Sequence, residues 1–300
     1  LHLLTLANGQ FRSNGGAVGV NTGSALELSN SSLRNSTSGG NGGAIFVTGG
    51  DLSLITGSSI LNAICDLSGG AVIAFAGSRV TLEPGSLISN TRAGVYGGAL
   101  CITQSFMRIA GSLVADAAAA GHGGFASVTA SSTLTITDNT HIVNATARLS
   151  GGAIHVSGGA TATVANGSRI IGSRSDLSGG AVYIETASFT MQNRSSIIGS
   201  HSQTQGGAIY MASGSLTVAD KSSITNTTSA LHGGALLIRG GTALVTNGSL
   251  IYRPKSQRPG GAINQNGGIL TVTNGSAIVN ATSEIQGGAI YVDSGTFTLA

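Results

Sequence analysis

The sequence of 300 residues predicts an all-β solenoid, a parallel β-helix, and three observations lead to this fold class. Eleven Gly-Gly pairs recur at intervals of 26 to 28 residues, from Gly15 to Gly287. The segments between the pairs alternate apolar and polar residues with a period of two, and none shows helical spacing. The 48 glycines and 8% of charged residues also depart from ordinary globular composition. A fixed period of this length is typical of stacked repeats.

Each repeat is predicted to contain three short strands. In the unit that begins at Gly206 they cover 208–211, 216–218 and 223–226, and a polar loop follows up to His232. The breaks fall at glycine and serine, as turns require. One coil per repeat, eleven coils and a rise of about 4.8 Å per coil predict a rod about 50 Å long.

Apolar side chains fall into columns that should point inward. Burial of each one stabilises the fold by about 1.5–3 kcal/mol, and only a stack of coils can enclose them. The column at the third residue after each first glycine contains Val18, Ile45, Val72, Leu100, Ile154, Val182, Ile209, Leu236, Ile263 and Ile290. Crossovers between parallel strands are right-handed almost without exception, so we expect a right-handed β-helix. Residues 1–300 form one domain in this interpretation, as a segment of a longer chain.

The glycine pairs are predicted to have a structural role. They stand where the polar loop enters the first strand, where a positive φ or close approach between coils excludes a Cβ atom. A phosphate-binding loop is the alternative, but such a loop needs a helix after it, and the pattern predicts strands.

A column of asparagines, seven residues before each following glycine pair, is predicted to point inward and form a buried ladder. It contains Asn35, Asn62, Asn90, Asn144, Asn226 and Asn280, with Asp116, Gly172, Gly199 and Arg253 in other coils. We expect Arg253 to distort its coil. Nine asparagines lie in Asn-x-Ser/Thr triplets, and those in the inward column should remain free of sugar. The candidate N-glycosylation sites lie at the turn between the second and third strands: Asn30, Asn166, Asn193, Asn247 and Asn274.

Two short motifs resemble the signatures of a known family. Gly-Gly-Ala-Ile, as at 42–45 and 206–209, resembles one signature of the chlamydial polymorphic membrane proteins, and Phe11-Arg12-Ser13-Asn14 matches the other, Phe-x-x-Asn. Asn14 is assigned to the asparagine column, and 87–90 keeps the spacing with leucine in place of phenylalanine. The resemblance covers the whole chain and implies an autotransporter passenger at the cell surface that acts in adhesion.

Two features are candidate interaction surfaces. The outward column of the first strand includes Phe46, Ile73, Cys101, His155, Tyr183, Tyr210, Leu237 and Tyr291. Stacking between coils is the favoured interpretation of this column, and an exposed contact stripe is the alternative. The segment 252–259 carries Arg253, Lys255 and Arg258 with two prolines, and it is predicted to be a rigid solvated loop that an anionic glycan or acidic partner can bind.

The chemistry-bearing residues are too scattered to predict a catalytic or metal site. Asp66 and Asp176 share a column but lie four coils apart, roughly 19 Å, whereas glycosidase chemistry needs carboxylates about 5–9.5 Å apart. His122 and His232 show the same gap and are predicted to be solvated loop residues. A threonine column on the second strand, from Thr5 to Thr298, leaves ice binding as a weak hypothesis. Cys65 and Cys101 are expected to stay as thiols because they occupy different columns.

Taken together, the sequence predicts a non-catalytic extracellular rod, stalk or filament subunit at a cell surface. An adhesin passenger is the alternative, followed by a polysaccharide lyase or hydrolase and an ice-binding solenoid. We expect no cofactor, no nucleic-acid binding and no direct insertion into a membrane, because the charges are dilute and every apolar run is short. The expected partners are further repeats or copies stacked end to end, and surface glycans or proteins.

Overall fold

The computed structural model describes residues 2–300, which form eleven stacked coils built from parallel strands, as the sequence predicts. Every element of the described residues is a strand, and none of them forms a helix that could cross a membrane. Residues of neighbouring coils pair in register, so that Ile209 faces Val182 on one side and Leu236 on the other. The predicted fold class is confirmed.

Each coil contains four hydrogen-bonded segments, where the sequence predicted three. The first-strand sheet consists of Val18–Val20, Ile45–Thr48, Val72–Phe75, Leu100–Thr103, Ala126–Thr129, Ile154–Ser157, Val182–Glu185, Ile209–Met211 and Leu236–Ile238. The second consists of Ala25–Leu28, Asp51–Leu54, Arg79–Leu82, Phe106–Ala110, Thr133–Thr137, Thr161–Val164, Ala187–Met191, Gly214–Val218 and Thr242–Val245. In the last two coils Ile263–Val272 and Ile290–Leu299 run through both sheets.

The remaining strands form the other side of each coil. The third-strand sheet consists of Thr5–Ala7, Ser32–Arg34, Ser59–Leu61, His141–Val143, Arg169–Ile171, Ser196–Ile198, Ser223–Thr225, Leu250–Tyr252 and Ala277–Val279. The fourth consists of Gln10–Phe11, Thr37–Ser38, Ile64–Cys65, Thr146–Ala147, Arg174–Ser175, His201–Ser202, Thr228–Ser229, Lys255–Ser256 and Thr282–Ser283. Leu87–Ala93 and Leu113–Ala119 run through both of these sheets.

The fourth strand lies inside the predicted polar loop. Thr228–Ser229, for example, pairs with His201–Ser202 on one side and with Lys255–Ser256 on the other. Its inward residues are small, as at Ser202 and Ser229, which are buried. Two residues carry too little alternation to predict a strand, and serine looks like a loop residue until neighbouring coils supply its backbone partners.

The inward apolar columns form one continuous core. A single cluster of buried side chains extends from Val20 to Val272, and members such as Ile45 and Ile209 have no exposed surface. Gln265 is an unpredicted polar member of an inward column, fully buried in the strand Ile263–Val272. Its Nε2 donates to the carbonyl oxygens of Gly268 and Thr296 at 3.1 and 3.0 Å, which offsets part of the cost of its burial.

The structural role of the glycine pairs is confirmed. Gly206 has a φ of +64°, which favours glycine over every other residue. A Cβ atom on Gly207 would lie 2.1 Å from the carbonyl oxygen of Gly234 in the next coil, so neighbouring backbones approach closely at the pair.

The inward assignment of the asparagine column is wrong. Asn35, Asn62, Asn90, Asn144, Asn226 and Asn280 are all exposed and have φ values between +52° and +56°. A residue in the left-handed region reverses the strand alternation, so a position two residues after an inward isoleucine points outward here. The ladder itself exists on the surface, where Asn62 Nδ2 donates to Asn35 Oδ1 at 2.9 Å. Consequently none of the four triplet asparagines in this column is shielded by the core.

The predictions for Arg253 and Asn14 are also wrong. Arg253 takes its place in the exposed column with a φ of +50° and its guanidinium 4.9 Å from the Tyr252 ring, and the register of the coil is kept. Asn14 lies just before a glycine pair, hydrogen-bonded to Asn41, whereas Asn8 is the ladder member that Asn35 contacts. The Phe-x-x-Asn stretch therefore crosses the fourth strand and the turn after it.

A second asparagine ladder occupies the turn between the second and third strands. Asn193 Nδ2 donates to Asn166 Oδ1 at 3.0 Å, and Asn274 Nδ2 donates to Asn247 Oδ1 at 3.3 Å. All five candidate glycosylation residues of this turn are exposed, including Asn30. They lie at the predicted turn, with their side chains on the surface.

Candidate functional site

The outward column of the first-strand sheet, called the outer column below, is largely covered. Ile73, His155 and Tyr210 are only 1%, 9% and 8% exposed, whereas Phe46 and Tyr291 are half-buried. The glycine turns lie over this column, since a Cβ atom on Gly42 would be 3.1 Å from Ile73 Cγ2. The alternative prediction, an exposed contact stripe, is therefore wrong for Ile73, His155 and Tyr210.

Ring stacking between coils is present in the outer column, as the favoured interpretation predicted. His155 and Tyr183 stack with ring centroids 5.3 Å apart and an interplanar angle of 7°. Tyr183 and Tyr210 stack at 5.1 Å and 3°. These distances between ring centroids are close to the rise per coil, because residues in register on successive parallel strands lie about 4.8 Å apart.

Two further rings reach this stack from the turns. The ring centroid of His122 lies 4.7 Å from that of His155, and Tyr96 lies 5.7 Å from His122. Tyr96, His122, His155, Tyr183 and Tyr210 are called the tyrosine–histidine cluster. Its existence was not predicted, and the expectation that His122 is solvated is wrong, because the turn before each glycine pair folds back onto the sheet. His232, in the equivalent turn, is also half-buried.

A cavity of about 310 Å³ lies beside the tyrosine–histidine cluster. It exists because Ser127 is a small member of the outer column, between Cys101 and His155 in the register. The hydroxyls of Thr129 and Ser157 and the carboxylate of Glu185 line the same space. The cavity thus joins aromatic walls to several polar groups and one carboxylate.

Burial keeps the two imidazoles and the Tyr183 phenol beside the cavity largely uncharged at physiological pH. Burial, reinforced by the neighbouring His122, lowers the pKa of His155 to about 4. Burial also lowers the pKa of His122, against the opposing effect of the Glu185 charge. The Nδ1 atoms of both imidazoles are buried without a hydrogen-bond partner among the described residues. Burial, reinforced by the neighbouring Glu185 carboxylate, raises the pKa of Tyr183 to about 12.

A second cavity of about 400 Å³, called the arginine groove, lies on the fourth-strand sheet on another side of the rod. Arg92, Arg148 and Arg174 surround a floor of alanines, from Ala118 to Ala120. The alanine run leaves room between arginines of neighbouring coils. Among the described residues none of these three arginines makes an ion pair, and Asp176 is the acidic residue in the lining.

The cationic segment 252–259 is less unusual than predicted. It contains an ordinary fourth strand, Lys255–Ser256, in register with its neighbours. Arg253, Lys255 and Arg258 are exposed, as expected. Lys255 Nζ lies 3.8 Å from Glu284 Oε1, and an exposed pair of this kind adds little stability.

The other candidate groups remain apart. The register keeps Asp66 and Asp176 four coils from each other. Within residues 2–300 no group of three or more histidine, cysteine or acidic side chains is arranged to hold a metal ion. Cys65 and Cys101 are buried free thiols, as predicted, and burial raises their pKa values to about 12 and about 11.

The predicted threonine column of the second strand is present over part of its length. Thr135, Thr163, Thr190 and Thr217 pair in register on successive second strands. Thr5 belongs elsewhere, because it pairs with Ser32 in the third-strand sheet.

Comparison with known proteins agrees with this architecture. A solenoid of parallel strands with an apolar interior defines the β-helix class, and residues 2–170 match the family model described as a right handed beta helix region. The chain belongs to this family. No curated protein and no solved structure matches the chain. The resemblance to the chlamydial polymorphic membrane proteins stays a prediction.

Proposed function

We propose that this chain is a segment of a non-catalytic structural rod outside the cell or on its surface. The observation that carries the proposal is the uninterrupted core between Val20 and Val272, in which each coil continues the packing of the coil before it. Such a stack is stiff, since every coil is fixed by two neighbours through backbone hydrogen bonds and apolar contacts. The repeated design supports a role that depends on length and surface.

An extracellular location is supported by the character of the surface. Only 8% of the residues are charged, and all nine asparagines of the Asn-x-Ser/Thr triplets are exposed. Glycans on the two asparagine ladders would cover two edges of the rod and add solubility. Protease treatment of intact source cells tests the location: loss of the protein supports it, and full protection contradicts it.

End-to-end association is part of this proposal. Val292 and Leu299 belong to inward columns, yet they are 41% and 72% exposed in the last coil of this segment. The outer edge of the strand Ile290–Leu299 also presents backbone groups that another coil can pair. We expect residues 1–300 produced alone to stack through these ends.

Electron microscopy of purified residues 1–300 tests the rod. We expect rods about 50 Å long, or multiples of that length at higher concentration. Compact particles without an elongated axis would contradict the proposal. A panel of neutral and acidic polysaccharides, assayed for depolymerisation, addresses the enzymatic alternative, and sustained cleavage would overturn the non-catalytic function.

An adhesin is the second candidate, and the arginine groove favours it. Three guanidinium groups without ion pairs, above an alanine floor, suit carboxylate or sulfate groups of a surface glycan. Binding to an array of acidic glycans tests this function. The variant Arg148→Gln should bind more weakly, whereas Arg79→Gln, on the second-strand sheet, should bind normally.

A further inference from the structure

We infer that the cavity beside the tyrosine–histidine cluster is a binding site for an organic ammonium group, carried by a small amine or by a lysine side chain. Electron-rich rings and an unpaired carboxylate converge there on one small space. The inference is independent of the rod function proposed above, because a site of this kind works in a monomer or in a filament.

The walls of the cavity suit a cation. Tyr96 and Tyr183 contribute aromatic rings, whose faces attract positive charge. Glu185 adds a carboxylate at the end of its strand, and among the described residues it has no ion-pair partner. Among the residues that the structure describes, no lysine or arginine lines the cavity, so the ligand itself would supply the positive charge.

The same stack already holds a cation at its other end. The guanidinium carbon of Arg239 lies 5.9 Å from the centre of the Tyr210 ring. Arg239 follows Glu185 by two coils in the register, or about 10 Å. Within residues 2–300 no corresponding cation lies over Tyr96 or Tyr183, which leaves this end of the stack open to a ligand.

The buried imidazole of His155 gives an independent reason to expect a ligand. It is only 9% exposed, and its Nδ1 lacks a partner in the described residues. A polar ring in such a place is normally satisfied by hydrogen bonds. Because both histidines stay neutral at physiological pH, the cluster presents π faces to a bound ammonium group without repelling it.

The size of the cavity selects a small group. A volume of about 310 Å³ lies at the lower end of the range for ligand pockets. It accommodates a quaternary or primary ammonium head, while the hydroxyls of Ser127, Thr129 and Ser157 offer acceptors to an N–H donor. Choline, butylammonium and a peptide with one central lysine represent the sources of this chemistry.

Titration followed by NMR or calorimetry tests the inference, with choline and its neutral isostere 3,3-dimethyl-1-butanol as the primary probes. We expect choline to bind in the millimolar range and the isostere to bind at least about fivefold more weakly. Equal binding of the two, or binding of neutral sugars in place of choline, overturns the inference. Butylammonium and the lysine peptide then distinguish a free amine from a side chain.

Three variants and one control locate the site. Glu185→Gln and Tyr183→Leu should each weaken choline binding at least about fivefold, whereas Tyr291→Leu, in the outer column but remote from the cavity, should leave it unchanged. Ser127→Leu fills the cavity with the residue that Leu237 supplies in another coil, so it should fold normally and lose binding. Unchanged choline affinity in a folded Ser127→Leu protein places the site elsewhere and refutes the inference.

Discussion

At the scale of the single residue, burial governs the chemistry of the few titratable groups near the core. His155 is neutral at physiological pH because its ring is buried, stacked on Tyr183 and tilted against His122. Cys65 and Cys101 are protonated for the same reason, namely desolvation of the charged form. Both effects make measurable predictions.

The stability of the rod should fall as the pH is lowered from about 6.5 to about 4. In that window an unfolded His155 binds a proton, whereas the folded residue, with its pKa lowered to about 4, does not. Once the pH is below the pKa of the folded His155, the loss in unfolding free energy is on the order of 3 kcal/mol. Urea unfolding at pH 7 and pH 4.5 measures it. His155→Phe should reduce the pH dependence, since the pKa of His122 is also lowered and stays in place, and His141→Phe, outside the cluster, should keep it.

The two thiols should be unreactive in the folded protein. With pKa values of about 12 and about 11, Cys65 and Cys101 carry little thiolate at pH 8, and both are buried. Labelling with a disulfide reagent should be about a hundredfold slower in buffer than in 8 M urea. Fast labelling of the native protein would show that the strand carrying one of the two cysteines opens readily.

At the scale of the element, strands can be predicted from the sequence where apolar and polar side chains alternate. The prediction is wrong where the backbone conformation of a single residue determines which way a side chain points. The inward columns of the first and second strands follow directly from period two, as at Ile209 and Leu216. The asparagine column was misplaced because a left-handed residue such as Asn226 interrupts the alternation, and alternation alone carries no information on φ. The stacking of rings in the outer column could be predicted from the register of the repeats. The packing of the His122 turn onto that column could not, because it depends on contacts between coils.

The second glycine of each pair, from Gly16 to Gly261, should tolerate no side chain. In Gly207→Ala the new Cβ would meet the carbonyl oxygens of Gly234 and Thr228 at 2.1 and 2.5 Å, which requires the coils to separate. We expect a loss of more than about 4 kcal/mol. Gly199→Ala is the control for the close approach, since nothing lies within 4 Å of its missing Cβ; its positive φ, which Gly207 does not share, should cost only about 1 kcal/mol. Similar urea midpoints for both variants would contradict the close-approach role.

At the scale of the whole molecule, stability is distributed along one axis. Each coil contacts the coil before it and the coil after it, so a defect in the middle divides the core into two shorter stacks. Terminal coils have one neighbour and should fray first.

A charge in a central inward column should therefore be far more damaging than the same charge outside. Ile209→Asp leaves an unpaired carboxylate in the core and should cost about 3–5 kcal/mol, whereas Thr217→Asp, on the outward face, should cost under about 1 kcal/mol. Urea melts of the two variants measure the difference. Equal losses would mean that the inward and outward faces are reversed.

The register of the coils also determines how the protein responds to tension. Backbone hydrogen bonds between coils run nearly parallel to the rod axis, so a pull on the chain ends loads one terminal coil at a time instead of shearing the whole sheet. Each coil of about 27 residues that peels away releases about 90 Å of chain. Single-molecule stretching should thus give a series of low, evenly spaced force peaks in place of one high peak. Such a rod would lengthen stepwise under load and recoil when the load is removed.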